Sequence, residues 1–203
     1  PSCGDGSFLK SIKNILDNND YNIEKIDAIE YIEEEANKSK KILKDIDCAS
    51  VINDDFYNFY INCKKKYNLI IGNPPYIRYQ YLTAFQREKQ SQVLIKNKMK
   101  SNKLINSWVF FLVACIELLE KNGTIAFVIP AEIMQVAYAE DLREYLSKHL
   151  SKINIISFNE LLFEDAEQEI LPKTFVEYNW EGIKKFFINF QKEFQECIEK
   201  IIL

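Results

Sequence analysis

Glycine is scarce in this chain, five in 203 residues, and nowhere do they form the full Gly-x-Gly-x-x-Gly fingerprint of dinucleotide-binding turns. The five cysteines (Cys3, Cys48, Cys63, Cys115 and Cys197) contain no Cys-x-x-Cys pair, and an odd number cannot all pair internally. That argues against a zinc or dithiol redox site and fits reduced thiols in a cytoplasmic protein. No metal-ligand set is expected. Long apolar runs are absent too. The longest, Trp108 to Ile116, falls well short of the ~20 residues that span a bilayer. The N-terminus lacks a signal-peptide pattern, so a cytoplasmic location with no membrane partner is expected. Positive charge is not in excess, because the formal net charge is −4. This argues against a chain that coats nucleic acid non-specifically, yet it permits a local basic face.

What is present suits a folded domain. Hydrophobic residues make up 47% of the chain, enough for a buried core. Short apolar runs alternate with helical patterns, which predicts an α/β domain with a largely parallel sheet. Helices are expected at Phe8–Leu16, Ile32–Leu43, Ser107–Leu119 and Ala139–His149. The third should stop at a glycine signal, Lys121-Asn122-Gly123. Strands are expected at Lys25–Ile29, Ala49–Ile52, Tyr67–Ile71, Thr124–Ile129 and Ile153–Phe158. Between Ile77 and Asn106 lies a polar stretch with little apolar periodicity, rich in Arg, Lys and Tyr. A long polar insertion beside a candidate site is often functional.

Two of the five glycines fall within three residues, in Pro1-Ser2-Cys3-Gly4-Asp5-Gly6-Ser7-Phe8-Leu9, just before a helix. Such a turn lets backbone approach a ligand closely and gathers N–H groups at a helix N-terminus. A purely structural turn is an equally good account of it alone. Glu30 follows about one strand later, where nucleoside-binding folds grip ribose hydroxyls. Its competitor is a solvated glutamate among Glu33, Glu34 and Glu35. Asp54-Asp55-Phe56 follows the next strand. A carboxylate there can accept from an adenine amine, and a ring can cover the base; the plain alternative is a turn or helix cap. The order of the three signals, each at a successive strand end, favours a nucleoside cofactor.

Asn73-Pro74-Pro75-Tyr76 follows the strand Tyr67–Ile71 and Gly72. A proline-stiffened turn explains Pro-Pro but not the flanking Asn and Tyr at a buried strand end, where such folds place ligands. The chemistry suits methyl transfer to an aryl amine, whose lone pair is delocalised. The Asn73 side-chain oxygen and the Pro74 carbonyl can accept the two amine hydrogens, and proline holds the backbone stiff. Tyr76 can stack on an extruded base. This chemistry needs positioning more than a strong base. The lone histidine, His149, lies far from these motifs in sequence and is assigned no role.

With both motifs in view, the chain resembles the N6-adenine DNA methyltransferases of restriction–modification systems, the type IIG-like group with the cofactor motif before the catalytic motif. Pro1 through Leu9 is similar to that group's Pro-x-Cys-Gly-x-Gly-x-Phe-Leu turn. Ile70 through Tyr76 is similar to its catalytic motif, and Trp108–Leu119, Gly123–Pro130 and Phe163–Ala166 to later segments. The resemblance implies a Rossmann-like class I methyltransferase sheet with helices on both faces. It implies a catalytic core at residues 1–170 and a helical tail at 171–203. S-adenosyl-L-methionine is the implied cofactor. Cys3, Gly4 and Gly6, with Pro1 beside them, would bind its methionine end, Glu30 its ribose, and Asp55 and Phe56 its adenine. Asn73, Pro74, Pro75 and Tyr76 would form the catalytic corner. Double-stranded DNA is the implied partner, with a restriction or specificity module supplied outside these residues.

Three departures stand out. The acid that precedes the proline in the family is absent, as is the strand before it, so a core lacking its first strand is expected. Asn68 stands where the family usually has Asp. The tail 171–203 is aromatic and Lys-rich rather than strand-like. Rival readings are a protein glutamine methyltransferase, an RNA base methyltransferase, and an inactive methyltransferase relic.

Overall fold

The computed structural model describes residues 1–18, 21–130, 133 and 139–154. The chain divides into two compact units, the first holding Pro1–Phe59 and the second beginning at Tyr60.

In the first unit, α1 (Ser7–Asn18), β1 (Ile26–Glu30), α2 (Glu33–Leu43) and β2 (Ala49–Asn53) follow in order. β1 and β2 pair in parallel, with Ile26 opposite Ala49 and Glu30 opposite Asn53. Parallel neighbours need a crossover, and α2 provides it. Leu9 of α1, Ala28 of β1 and Leu43 of α2 form a buried cluster, with Ile12, Ile42, Ile46 and Val51 packed against it. α2 opens on Glu33, Glu34 and Glu35 and closes on Lys40 and Lys41. That order complements the helix dipole. Ala36 and Ser39 face inward and are fully buried, small enough to admit the neighbouring turn.

α3 (Phe56–Asn62) carries the chain into the second unit, where β3 (Tyr67–Gly72) and β4 (Leu119–Phe127) form another parallel pair. Between them lie a 3-10 turn at Tyr79–Tyr81, α4 (Ala84–Lys96) and α5 (Ser107–Glu117); α6 (Ala139–His149) follows. Every residue of α5 from Ser107 to Ile116 is buried, as expected for a helix apolar on all sides. Its end is tied down by Glu117. One carboxylate oxygen accepts from Asn97 Nδ2 at 2.7 Å, and the other from Lys96 Nζ at 2.9 Å and from the Tyr60 hydroxyl. Burial pushes the Glu117 carboxyl upward, but bonds from Tyr60, Asn97 and Lys96 outweigh it and hold the carboxyl below its usual range.

Most expected strands and helices recur within a residue or two, but the strand expected at Thr124–Ile129 is β4, which starts five residues earlier, at Leu119; three further corrections follow. The segment 77–106 is not featureless: α4 lies in it, opened by a capping box in which Thr83 accepts from Gln86 N and Gln86 accepts from Thr83 N. α4 buries only Gln90, Val93 and Leu94, so its apolar stripe is too narrow to show as periodicity. α3 was also not anticipated; its seven residues are too short to display a helical period. Finally, Lys121-Asn122-Gly123 does not end α5. That helix ends at Glu117 with Leu118 as its cap, and β4 begins at once at Leu119. The glycine instead sits in a bulge of β4: Tyr67 pairs with Leu119 but Leu69 with Thr124. A Cβ at Gly123 would lie 3.0 Å from Tyr67 O, so the bulge requires the missing side chain. The expected strand at Ile153–Phe158 lies largely outside the described residues, and the tail 171–203 wholly so. Among the described residues no helix is long and apolar enough to cross a membrane.

Candidate functional site

The glycine turn is built on the tip of β1. Cys3 N donates to Ile29 O at 2.9 Å, and Gly4 N donates to Glu30 Oε2 at 2.8 Å. The other carboxylate oxygen, Oε1, accepts from Ile32 N at 2.9 Å. Glu30 is therefore no solvated glutamate. It is 7% exposed, the last residue of β1, and its side chain ties the turn to the start of α2. Each oxygen has a second lone pair, so the carboxylate can still accept from a ligand hydroxyl.

Gly4 and Gly6 have φ of +55° and +89°, a region that non-glycine residues avoid. They differ in surroundings. A Cβ on Gly6 would lie 2.5 Å from Ile42 Cδ1 and 2.9 Å from Ser39 Oγ; a Cβ on Gly4 would meet nothing within 4 Å. Gly6 is thus packed onto α2, whereas Gly4 borders open space that a ligand can use. Ser39, which the sequence reading missed, donates to Gly4 O at 2.9 Å and accepts from Cys3 Sγ at 3.5 Å. Only its smallness on the inner face of a charged helix hints at this role. Burial pushes the Cys3 thiol up, despite the Ser39 contact, and so keeps it neutral. Pro1 stands at the head of this turn, half-buried.

The tip of β2 joins the same site. Asp54 N donates to Glu30 O at 3.1 Å, and Asn53 Nδ2 to the same carbonyl at 2.9 Å. Asp55 Oδ1 accepts from Tyr57 N at 2.9 Å, which is helix capping. Phe56 is buried and stacks on Phe59 with centroids 6.1 Å apart. The structure thus brings Cys3, Gly4, Glu30 and Asp55 to adjoining strand ends of the first unit, and it gives Asp55 and Phe56 structural contacts of their own.

The second unit carries the corner Asn73-Pro74-Pro75-Tyr76 directly after β3. Pro74 is fully buried. The Tyr76 hydroxyl lies 3.0 Å from Asn73 Oδ1 and 3.1 Å from Val128 O, while the residue as a whole is 37% exposed. Burial of the hydroxyl pushes it up to about 12. The corner is clamped from beneath by Ser107, the first residue of α5, which is fully buried. Its hydroxyl donates to Pro75 O and accepts from Ile77 N at 3.0 Å, and its own N–H donates to Ile77 O at 2.9 Å. Nothing in the sequence singled out this serine. A cavity of about 360 Å³ lies elsewhere in this unit, before the start of β3, lined by Tyr60, Lys66, Lys96 and Glu117 among others. It contains none of the candidate residues. His149 stacks on Tyr145 with ring centroids 4.0 Å apart.

Comparison with known proteins places the chain in a family. The family model of the Eco57I restriction-modification methylase matches residues 7–163. The chain is similar to the type II methyltransferase M.AccI of Acinetobacter calcoaceticus, 31% identical over 168 residues that cover 82% of this chain and 29% of that protein. It is similar to the type II methyltransferase M.HincII of Haemophilus influenzae, 36% identical over 110 residues covering 54% of this chain and 21% of that one. The chain therefore spans less than a third of the length of these relatives. Among solved structures, a type I restriction-modification methyltransferase subunit from Streptococcus thermophilus superposes with a TM-score of 0.56 at 17% identity. That match covers 72% of this chain and 32% of the other, and it shows the Rossmann-like methyltransferase fold that the resemblance implied. With a family model matching well over half its residues, the chain belongs to the Eco57I restriction-modification methylase family.

Proposed function

We propose that this chain carries the core of a site-specific DNA methyltransferase that methylates the N6 amine of an adenine swung out of the duplex. The observation that carries this reading is the corner itself. An asparagine oxygen and a proline carbonyl sit on a backbone immobilised by Ser107, with a partly exposed tyrosine beside them.

S-adenosylmethionine fits the first unit, because the surface at Gly4 is open and Glu30 retains acceptor capacity. Cys3, Gly4 and Gly6, with Pro1, would hold its methionine end, Glu30 its ribose, and Asp55 and Phe56 its adenine. When bound, it supplies an electrophilic methyl group on a sulfonium that departs as a neutral thioether. The protein's task at the target is to make the amine nucleophilic. Asn73 Oδ1 and the Pro74 carbonyl would accept the two N6 hydrogens, draw the nitrogen toward tetrahedral geometry and aim its lone pair. Tyr76 would hold the base by stacking, worth about 1–3 kcal/mol. The surplus N6 proton leaves to water after transfer, so no strong base is required. Fixed acceptors of this kind contribute through electrostatic preorganisation.

Tritium transfer from labelled S-adenosylmethionine to duplex DNA, RNA and protein tests the reading. N6-methyladenine in DNA, lost with Asn73→Ala while cofactor affinity stays nearly constant, is the expected result. Label appearing in glutamine or RNA would replace it with a rival activity. No cofactor binding in calorimetry would mark an inactive relic.

A further inference from the structure

The charge of this chain is unevenly distributed. Residues 78–106 hold seven Lys and Arg and a single acid, Glu88, for a net +6 inside a chain of net −4. All other residues together therefore carry −10. The bland account is a solvated helical face. Yet where this chain solvates a helix, it mixes signs: on α2, Lys38 pairs with Glu34 and Glu35. The segment 78–106 sets a single acid, Glu88, which pairs with Lys89, against seven cations.

Its geometry adds a second point. Ser107 N donates to Ile77 O and Ile77 N donates to Ser107 Oγ, so the chain leaves and returns at one place, the base of the Asn-Pro-Pro-Tyr corner. The excursion is stitched together. Gln90 Nε2 donates to Ile105 O at 3.1 Å from a buried position, and Ser91 and Ser101 hydroxyls meet at 2.7 Å. Some cations are engaged: Lys96 with Glu117, Lys89 with Glu88, and Arg87 over the Tyr79 ring. Arg78, Lys98, Lys100 and Lys103 are exposed and have no ion-pair partner among the described residues. Asp141 lies beside Lys100, where it accepts the backbone N–H at 2.8 Å.

We propose that this excursion is a surface that grips the phosphate backbone of duplex DNA beside the catalytic corner, with Arg78, Lys98, Lys100 and Lys103 as its contacts. It rests on the DNA reading above and adds the partner's docking surface to it. Unpaired cations on a rigid scaffold neutralise phosphates and release condensed counterions, which makes affinity fall steeply with salt. Contacts of this kind set register without reading sequence.

The test is fluorescence anisotropy of the full chain with a labelled duplex across a salt series. R78A/K98A/K100A/K103A should lower the slope of log affinity against log salt by about 3 to 4 and weaken binding tenfold or more at about 0.1 M salt. R78K/K98R/K100R/K103R should restore both. K40A/K41A/K44A on the first unit, a comparable loss of charge, should leave the slope alone. An unchanged slope in the quadruple alanine variant overturns the proposal. So does tighter binding to single-stranded RNA than to duplex, or no duplex binding by the wild-type chain. The functional reading fails on a different measurement: duplex binding with normal slope but no methyl group delivered to DNA.

Discussion

The Tyr76 hydroxyl donates toward Asn73 Oδ1 at 3.0 Å, the same oxygen that the proposed chemistry assigns to the adenine amine. Val128 O, at 3.1 Å, competes for that single proton. Asn73 Oδ1 keeps a second lone pair, so an entering amine can share that oxygen with the hydroxyl or have it alone when the hydroxyl turns to Val128. Tyr76→Phe keeps the ring and releases the oxygen, so turnover should stay within about threefold of wild type. Tyr76→Ala removes the ring and should weaken base capture roughly 5- to 150-fold, the equivalent of one lost stacking contact. 2-Aminopurine fluorescence at the target position measures capture, and calorimetry with S-adenosylmethionine should show little change. If Phe proves as damaging as Ala, the hydroxyl rather than the ring holds the base.

Gly4 and Gly6 should respond differently to the same substitution. Gly6→Ala places a Cβ 2.5 Å from Ile42 Cδ1 at a φ of +89°, so it should destabilise the first unit by about 1–3 kcal/mol. Gly4→Ala meets open space at a φ of +55° and should cost only about 1 kcal/mol of backbone strain. Its larger effect should be on cofactor affinity. Thermal melts and calorimetric titration separate the two. Equal losses of stability would remove the distinction between a packed and a ligand-facing glycine.

Ser107→Ala deprives both Pro75 O and Ile77 N of their hydroxyl partner. The expected loss is about 2 kcal/mol, since buried groups left unsatisfied carry their desolvation penalty. Because the freed segment is the proposed catalytic corner, kcat should fall further than the melting temperature suggests, with cofactor affinity intact. Full activity at reduced stability would make Ser107 a purely structural residue.

Alkaline pH should unfold the chain through its buried acids. Burial raises the Tyr57, Tyr60 and Tyr145 hydroxyls, and pushes Tyr76 and Cys115 up to about 12. The unfolded chain ionises these groups near their ordinary values, about 10 for tyrosine and 8.5 for cysteine. The folded state then retains protons that the unfolded state has lost, so stability falls as pH rises from about 9 toward 12. Denaturant midpoints across that range should decline, and less steeply in Tyr145→Phe. A flat profile would mean these groups ionise without unfolding.

Much of the candidate site's local geometry was legible because backbone conformation constrains local sequence. A backbone turn with positive φ at two positions needs glycine there, and a stiff acceptor corner needs proline beside asparagine. Glu30 could be proposed from its place after a strand. Its distinction from the neighbouring glutamates came only with the hydrogen bonds to Gly4 and Ile32. Helix α4 escaped notice because three buried side chains in thirteen residues leave no period to read.

Taken alone, the order of residues determined the alternating parallel architecture, the two motifs and the family, since these depend on spacing along one strand or turn. The tertiary structure alone decided the partners that come from distant positions: Ser39 beneath the glycine turn, Ser107 beneath the Asn-Pro-Pro-Tyr corner, and Gly123 in a bulge rather than at a helix end. Those roles depend on which buried polar group finds which donor across 30 or more residues of chain, and on how closely two backbones approach. No local pattern encodes either.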